Sequence, residues 1–119
     1  MLFGADGDRD PSNRPAMAQV AAAGSDILVI TDHHPRFEDP TSIRAGLEKA
    51  ARESAPNHEI YNVSPPEAAI RKAVSLATTG DAILWAGPGH QDYRDIRGVR
   101  TPYSARKEAR DALNEHGWS

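Results

Sequence analysis

The chain has 119 residues, with 14 Lys and Arg against 17 Asp and Glu, a formal net charge of −3, and no cysteine. This length fits one domain and is too short for an enzyme that needs a nucleotide-binding domain plus separate substrate domains. The charge argues against a general nucleic-acid binder, and the missing cysteines exclude disulfides and thiol chemistry. With no apolar run near 18 residues and no signal-peptide pattern, we expect a soluble, cytoplasmic domain without a membrane partner.

The first third of the chain predicts a strand, a helix and a second strand. Residues 1–4 have the pattern of a strand end, and the apolar run Ile27–Ile30 is typical of a strand covered on both faces. Between them we expect a helix over residues 15–23, which begins at a proline and ends at Gly24. Its apolar face would carry Met17, Val20 and Ala21.

The middle of the chain continues the alternation of helices and strands. Thr41 or Ser42 is predicted to cap a helix, whose buried face would carry Ile43, Leu47 and Ala50. Residues 59–63 predict a short strand. Ser64, followed by two prolines, predicts the cap of a helix that continues through Ala77 and stops at Gly80.

The last third predicts a buried strand over residues 82–86 and then a hairpin over residues 93–103, with its turn at Arg97 and Gly98. Ser104 is expected to cap a final helix that ends near Glu115. Strands that alternate with helices indicate an α/β layered sandwich with a mostly parallel sheet and an antiparallel edge hairpin. Function is then expected at the carboxyl ends of the strands.

Three polar loops follow predicted strands: the first loop (residues 4–10), the second loop (residues 31–40) and the third loop (residues 86–92). Backbone amides of the first loop, helped by Arg9, could hold an anion, or this loop could be a solvated turn. In the second loop, His33 and His34 beside Asp32 could ligate a metal with support from Glu38 or Asp39, or could be ordinary polar side chains.

Two features of these loops suit recognition of a small ligand. Arg36 could clamp a carboxylate, or could form a surface ion pair with Glu38 or Asp39. The glycines of the third loop allow close approach of a ligand, with His90 and Gln91 as neutral hydrogen-bonding groups, or they form only a tight turn. Trp85 and Trp118 are expected to pack in the core.

A series of spaced motifs covers essentially the whole chain. They are Gly-Asp-Arg-Asp at 7–10, Arg-Pro-x-Met-Ala at 14–18, Pro-Arg-x-Glu-Asp-Pro at 35–40, Ala-Ile at 69–70, Gly-Asp-Ala-Ile-Leu at 80–84 and Ala-Gly-x-Gly-His-x-x-Tyr at 86–93. This series resembles the carboxy-terminal domain of the Mur ligases. Within that family it is most similar to the UDP-N-acetylmuramoyl-tripeptide synthetases of the diaminopimelate-adding type.

The resemblance implies a Rossmann-like, three-layer fold and an enzyme of three domains, of which residues 1–119 would be the last. ATP and Mg²⁺, bound mainly in the amino-terminal and central ATPase domains that this chain lacks, would turn the carboxylate of a UDP-muramoyl peptide into an acyl phosphate. The amine of the incoming amino acid would attack it, and this domain would bring that amino acid. The chain alone would be inactive, since it has no GxxxxGK[ST] loop to grip ATP.

The resemblance also implies a set of residues that contact substrate, and no metal ligand among them. An Asp-Asn-Pro-Arg motif that recognises diaminopimelate falls on residues 33–36, and a glycine followed four residues later by an acid, which would hold the substrate ammonium, falls on Gly87 and Gln91. Arg9, with Asp8 beside it, would lie near the phosphates of the nucleotide. The implied substrate-binding residues are Arg9, His33, His34, Pro35, Arg36, Gly87 and Gln91.

This sequence departs from that pattern at several of these positions. Asp-Asn is replaced by His33 and His34, the acid by Gln91, and the usual lysine between the glycines by Pro88, while Arg36 keeps the carboxylate clamp. Charge-assisted hydrogen bonds contribute about 1.5–3 kcal/mol against roughly 1 kcal/mol for neutral ones. Recognition of the ammonium should therefore be weaker, or be supplied elsewhere, or the substrate differs. We expect a carboxylate-bearing, diaminopimelate-like amino acid.

Two alternatives remain from the sequence. The Asp-His-His run at 32–34, with Asp6 and Asp8 as a first aspartate motif, also resembles the DHH phosphoesterases, which use two metal ions. The two segments are only about one βα unit apart and nothing downstream matches that family. The other alternative is a free-standing ligand-binding module derived from the ligase domain.

Overall fold

The computed structural model describes residues 1–88 and 91–118. Its main sheet contains four parallel strands in the spatial order β3-β2-β1-β4. The strands are β1 (Leu2–Phe3), β2 (Ile27–Ile30), β3 (Glu59–Asn62) and β4 (Trp85–Ala86). The helices are α1 (Arg14–Ala23), preceded by a 3₁₀ turn at Pro11–Asn13, α2 (Pro40–Ser54), α3 (Pro66–Leu76) and α4 (Ala105–Glu115).

The helices cover both faces of the sheet, because successive side chains of a strand point to opposite sides. Leu28 and Ile30 of β2 belong to the core cluster that also contains the buried faces of α1 and α2. Val29, between them, packs with α3 and α4 on the other face. The predicted three-layer α/β fold is therefore confirmed. Within the described residues, every helix is too short or too polar to cross a bilayer.

The predicted strand over residues 82–86 is mostly wrong. Only Trp85 and Ala86 form a strand, paired in parallel with Leu2 and Phe3. The strand lies at the edge of the sheet, and its one neighbour, β1, offers a ladder only two residues long. The preceding residues therefore have almost no backbone partner, and the side chain of Leu84 is 58% exposed.

The predicted apolar face of α1, Met17, Val20 and Ala21, is confirmed only at Ala21, which is buried. Met17 and Val20 are exposed, and the side chains buried together with Ala21 are Ala18 and Ala22, at the helical spacing of three and four residues. These small side chains pack with α2 in one core cluster. Short side chains at the contact allow two helices to approach closely, so the larger apolar residues of α1 lie on its outer side.

Two of the predicted helix caps are wrong and one is confirmed. The N-cap of α2 is Asp39, whose carboxylate accepts a hydrogen bond from the Thr41 amide at 3.1 Å. Ser64 does not cap α3, which begins after Pro65 and ends at Leu76, before the predicted end. Ser104 caps α4 as predicted, because its hydroxyl accepts from the Lys107 amide at 3.2 Å.

The predicted hairpin forms from β5 (Tyr93–Ile96) and β6 (Val99–Pro102). Arg97 and Gly98 have φ angles of +53° and +78°, the left-handed pair that a two-residue hairpin turn favours. The hairpin is a separate two-stranded sheet, and it is attached to the second loop rather than to β4. The Arg36 amide donates to the Asp95 carbonyl at 3.2 Å, and the Arg97 amide donates to the Arg36 carbonyl at 2.7 Å.

Candidate functional site

The three polar loops meet at one edge of the sheet, as the parallel register requires. Phe3 lies opposite both Ile30 and Ala86, so the chain leaves the carboxyl ends of β1, β2 and β4 at the same level. The carboxyl edge of an open α/β sheet is where ligands bind in this class of fold. Gly89 and His90 of the third loop lie outside the described residues, so the predicted role of His90 is not addressed.

The first and second loops are joined through their backbones at Gly7. Its amide donates to the His34 carbonyl at 2.7 Å. A Cβ atom on Gly7 would lie 1.8 Å from the Pro35 carbonyl oxygen, which is far inside the contact distance of any two atoms. Only glycine fits there. Pro35 is thus buried against the first loop and contributes its backbone rather than a polar side-chain contact.

A bidentate ion pair from Arg14, the first residue of α1, also joins the first and second loops. Both terminal nitrogens of Arg14 donate to the carboxylate of Glu38 at 2.9 Å, and one of them also donates to the Asp6 carbonyl at 2.7 Å. Arg14 and the Asp8 amide, which donates at 2.9 Å, hold the pKa of Glu38 below its usual value. Glu38 is therefore committed to Arg14, and the alternative that it pairs with Arg36 is wrong.

Arg36 is held in a costly backbone conformation that directs its side chain to the first loop. Its φ angle is +52°, a left-handed value that costs a non-glycine residue roughly 1–2 kcal/mol. Nη1 donates to the Gly7 carbonyl at 3.0 Å and lies 3.4 Å from Asp6 Oδ2. Nε and Nη2 make no hydrogen bond within the described residues, so a guanidinium edge remains for a ligand.

His34 is buried and both of its ring nitrogens are engaged. Nδ1 accepts a hydrogen bond from the Asp95 amide at 3.1 Å, so in the neutral ring the proton is on Nε2. Nε2 then donates to Gln91 Oε1 at 2.7 Å. The ring also stacks on Tyr93, with centroids 5.3 Å apart. His34 thus connects the second loop, the third loop and the hairpin, and has no free nitrogen for a metal.

His33 lies between the first and third loops. Its Nε2 is 3.4 Å from Asp6 Oδ1, and its ring centroid is 4.1 Å from that of His34. Gly87, whose φ angle is +119°, lies beside the ring: a Cβ atom on it would be 3.8 Å from His33 Cδ2. Burial and the neighbouring His34 lower the pKa of His33 below its ordinary value. The neutral ring is therefore favoured at neutral pH.

The metal-site hypothesis for the second loop gains no geometric support. Residues 1–88 and 91–118 contain no cluster of three His, Cys, Asp or Glu side chains able to hold a metal. Asp32 is bound by Arg44 and by the hydroxyl of Ser64, which donates at 2.7 Å. Asp39, the other suggested supporting acid, caps α2. Because the described residues hold no such cluster, the DHH phosphoesterase alternative gains no geometric support either.

Asp8 and Arg9, the residues implied to lie near the nucleotide, are exposed on the first loop. Asp8 has a φ angle of +54°, and its carboxylate accepts from the Phe37 amide at 3.0 Å. In the described part of the chain, no hydrogen bond or ion pair involves Arg9. The structure therefore does not bring Arg9 into the group formed by His33, Arg36 and the first-loop backbone.

A cavity of about 20 Å³ lies between the second loop, the third loop and the hairpin. Its walls include His34, Gln91, Pro88 and Tyr103. The Tyr103 hydroxyl is buried without a hydrogen-bond partner in the described residues, and burial raises its pKa. The volume is enough for about one water molecule, which would satisfy this hydroxyl.

Asp6 lies at this edge of the sheet, although the sequence did not single it out as a candidate substrate ligand. It enters the sequence argument only through the phosphoesterase alternative, yet it faces both His33 and Arg36. A loop rich in acidic and glycine residues gives no local signal for which carboxylate turns inward. The glycines on either side, Gly4 and Gly7, were the one available hint, because they let the backbone approach the second loop closely.

Comparison with known proteins gives a consistent result. The family model described as "Mur ligase, glutamate ligase domain" matches residues 1–89. The chain is similar to the UDP-N-acetylmuramyl-tripeptide synthetase of Leifsonia xyli subsp. xyli, with 55% identity over 99% of this chain and 23% of that protein. It is 40% identical to the UDP-N-acetylmuramoyl-L-alanyl-D-glutamate–2,6-diaminopimelate ligase of Chromobacterium violaceum, over 98% of this chain and 23% of that protein.

A solved structure agrees with these matches. A structure of a UDP-N-acetylmuramoyl-L-alanyl-D-glutamate–2,6-diaminopimelate ligase superimposes with a TM-score of 0.87 and 32% identity, covering 99% of this chain and 24% of that chain. The chain thus spans about a quarter of the length of the relatives that it matches.

Proposed function

Because the chain belongs to the Mur ligase family, as its carboxy-terminal glutamate ligase domain, we propose that it supplies the amino-acid-binding part of an ATP-dependent ligase. This ligase would add the third residue, a diaminopimelate-like amino acid, to UDP-N-acetylmuramoyl-dipeptide in peptidoglycan synthesis. The cytoplasm is the expected location, since it holds the pools of ATP and of UDP-linked precursors.

The observation that supports this proposal most directly is the placement of Arg36. Its guanidinium is fixed by the Gly7 carbonyl at the carboxyl edge of the sheet and keeps Nε and Nη2 without a partner in the described residues. A planar guanidinium edge is suited to a bidentate contact with a carboxylate. We therefore assign Arg36 to a carboxylate of the incoming amino acid.

The other proposed site residues fall into two groups. His33 and Gly87 border the surface beside Arg36, where the amino acid would lie, and Arg9 extends from the exposed first loop, where it could reach the phosphates of a nucleotide held elsewhere. His34 and Gln91, in contrast, bind each other and would act on the amino acid by shaping its surroundings.

In the proposed reaction, the amine of the bound amino acid forms a C–N bond to the activated carbonyl, and phosphate leaves with the C–O bonding electrons. Mg²⁺, when bound, would neutralise charge on the phosphates. This chain would orient the amino acid so that its amine reaches that carbonyl, which is a catalytic contribution through positioning. ATP and Mg²⁺ would bind mainly outside the chain, which carries no GxxxxGK[ST] loop.

The test is a reconstitution with the intact ligase that carries this domain. Purified enzyme, ATP, Mg²⁺, UDP-N-acetylmuramoyl-dipeptide and single amino acids are combined, and the product is measured by mass spectrometry. We expect condensation with one class of amino acid, and failure with every amino acid would overturn the proposal. The 119-residue chain alone is the control, because turnover of ATP and peptide by it would contradict the assignment of catalysis to other domains.

A variant tests the role of Arg36 in the same assay. Arg36→Ala removes a charge-assisted contact to the substrate carboxylate, so we expect KM for the amino acid to rise about 10- to 100-fold. The KM for ATP should stay within about twofold, since the nucleotide binds elsewhere. Unchanged affinity for the amino acid, measured by calorimetric titration, would exclude the clamp.

A further inference from the structure

We propose that Glu67 and Arg94 are positioning residues for the amino-acid site: their ion pair holds the hairpin of β5 and β6 against α3 and thereby fixes the guanidinium of Arg36. This inference rests on the proposed function and adds to it two residues that act through Arg36. Three links connect the pair to the site: Arg36 to the hairpin, the hairpin to α3, and α3 to the core.

The backbone of Arg36 is held on both sides by the hairpin. Its amide donates to the Asp95 carbonyl at 3.2 Å, and its carbonyl accepts from the Arg97 amide at 2.7 Å. Arg36 also has a left-handed φ angle of +52°, which a residue with a side chain keeps only where its surroundings impose it. The position of the hairpin therefore helps to set the direction in which the Arg36 side chain leaves the second loop.

The hairpin is not part of the main sheet. In the described chain, β5 and β6 pair with each other, and a single bridge joins Ile96 to Arg36. All four residues of β6 are exposed. A two-stranded hairpin is at best marginally stable by itself in water, so its position depends on contacts with the rest of the domain.

Arg94 of β5 supplies such a contact with α3. Its Nη2 is 2.9 Å from Glu67 Oε2, and its guanidinium lies over the Tyr103 ring, 4.2 Å from the centroid. The two side chains of the pair are only 22% and 32% exposed, so salt screens their attraction less than on an open surface. The hairpin contacts made by His34 reach only the loop that carries Arg36. Among the described residues, Arg94–Glu67 is the one ion pair between the hairpin and a helix.

Glu67 can hold the hairpin because it belongs to the first turn of α3, which is fixed on the main sheet. Ile70 and Val74 of this helix are buried with Val29 of β2 in one core cluster. Burial opposes ionisation of Glu67, but the contact with Arg94 holds the pKa of this carboxyl below its usual value. The pair therefore stays charged at neutral pH.

Loss of the ion pair would let the hairpin move, and with it the backbone of Arg36. If a smaller fraction of the molecules holds the guanidinium in the binding geometry, the apparent affinity for the amino acid falls by that fraction. The reacting groups are unchanged once the amino acid is bound, so the effect belongs in KM and not in kcat. A pair that only stabilised the fold would instead lower the amount of active enzyme and leave KM unchanged.

The test measures steady-state kinetics of the intact ligase with the amino acid that it condenses best. Glu67→Gln and Arg94→Met each remove one charge and keep the approximate size of the side chain. We expect each to raise KM for the amino acid about 3- to 10-fold, while kcat and the KM for ATP stay within about twofold. Arg94→Lys, which keeps the charge, should raise KM less than Arg94→Met does.

A combination with Arg36→Ala shows whether the pair acts through Arg36. Once the guanidinium is absent, its position has no effect, so Glu67→Gln should raise KM no further in the Arg36→Ala background. Glu115→Gln is the matched control. Glu115 pairs with Arg71 of α3 at 2.8 Å, and because this pair joins α3 to α4 rather than to the hairpin, its loss should leave KM unchanged.

An unchanged KM for the amino acid in Glu67→Gln and Arg94→Met would overturn the role of the pair. An equal rise in KM by Glu67→Gln with and without the Arg36 side chain would overturn it as well, since the effect would then not pass through Arg36. Wild-type enzyme that condenses no amino acid would instead overturn the proposed function.

Discussion

The imidazole of His34 donates from Nε2 to the side-chain oxygen of Gln91 at 2.7 Å, across 57 positions of the sequence. Because Nδ1 simultaneously accepts the Asp95 amide, the direction of the bond is fixed. Two residues that the family resemblance implied as substrate ligands are thus each other's partners. They fix the third loop and the hairpin relative to the second loop.

This relationship predicts the cost of removing the ring. His34→Leu should lower the free energy of unfolding of the chain by about 1–3 kcal/mol, because the Asp95 amide and the Gln91 oxygen lose their partner. The measurement is urea unfolding followed by circular dichroism. Gln91→Leu is the comparison and should cost less, since Gln91 is only half-buried and the Nδ1 bond survives. A larger loss for Gln91→Leu would contradict this account.

The contact between Gly7 and Pro35 predicts a position that tolerates no side chain. Gly7→Ala would place Cβ 1.8 Å from the Pro35 carbonyl oxygen, so the loops must separate and the free energy of unfolding should fall by about 2 kcal/mol or more. Gly46→Ala is the matched control: Gly46 lies in α2, and a Cβ atom on it would meet nothing within 4 Å. That change should stabilise the chain by about 0.5–1 kcal/mol. Equal changes in the free energy of unfolding for the two variants would show that the first and second loops are not in close contact at Gly7.

The left-handed backbone at Arg36 allows stability and ligand binding to be separated. Arg36→Gly relieves the roughly 1–2 kcal/mol of strain, which offsets part of the lost side-chain contacts, so the variant should be more stable than Arg36→Ala. Both variants should show the same rise in KM for the amino acid in the intact ligase. Thermal unfolding and steady-state kinetics measure the two quantities. A glycine variant no more stable than the alanine variant would argue against backbone strain.

The lowered pKa of His33 predicts how stability depends on pH. The folded chain binds a proton at His33 less readily than the unfolded chain does, so the unfolded state gains protons first as pH falls below about 6.5. The free energy of unfolding should therefore be highest above this pH and should decline below it. His33→Gln should flatten the decline between about pH 7 and pH 5 in urea unfolding. If the free energy of unfolding of His33→Gln depends on pH as steeply as that of the wild type, His33 is not the cause of the decline.

Much of the fold followed from local signals in the sequence. The apolar run Ile27–Ile30, the turn at Arg97 and Gly98, and the cap at Ser104 each depend on neighbouring residues, and all were predicted. The convergence of three polar loops followed from the alternation of strands and helices. The predicted length of the edge strand β4 was wrong because it depends on pairing with β1, which is distant in the sequence.

The pairing of charges could not be read in the same way. Glu38 has Arg36 two positions away, yet it binds Arg14, 24 positions away, because the first and second loops bring α1 alongside. Asp6 likewise has its neighbours, Arg36 and His33, in another loop. The cap of α2, in contrast, could have been predicted from the sequence. Pro40 suits the first turn of a helix, which indicates that the cap is the preceding residue, Asp39.

The backbone of Arg36 is hydrogen-bonded on both sides to the hairpin, through Asp95 and Arg97. A change at the hairpin tip would therefore tilt the guanidinium without altering any group that touches the ligand. The preference for one amino acid over another could then shift through surface mutations remote from the binding groups. Substitutions in the hairpin therefore offer a way to change selectivity while Arg36 itself is kept.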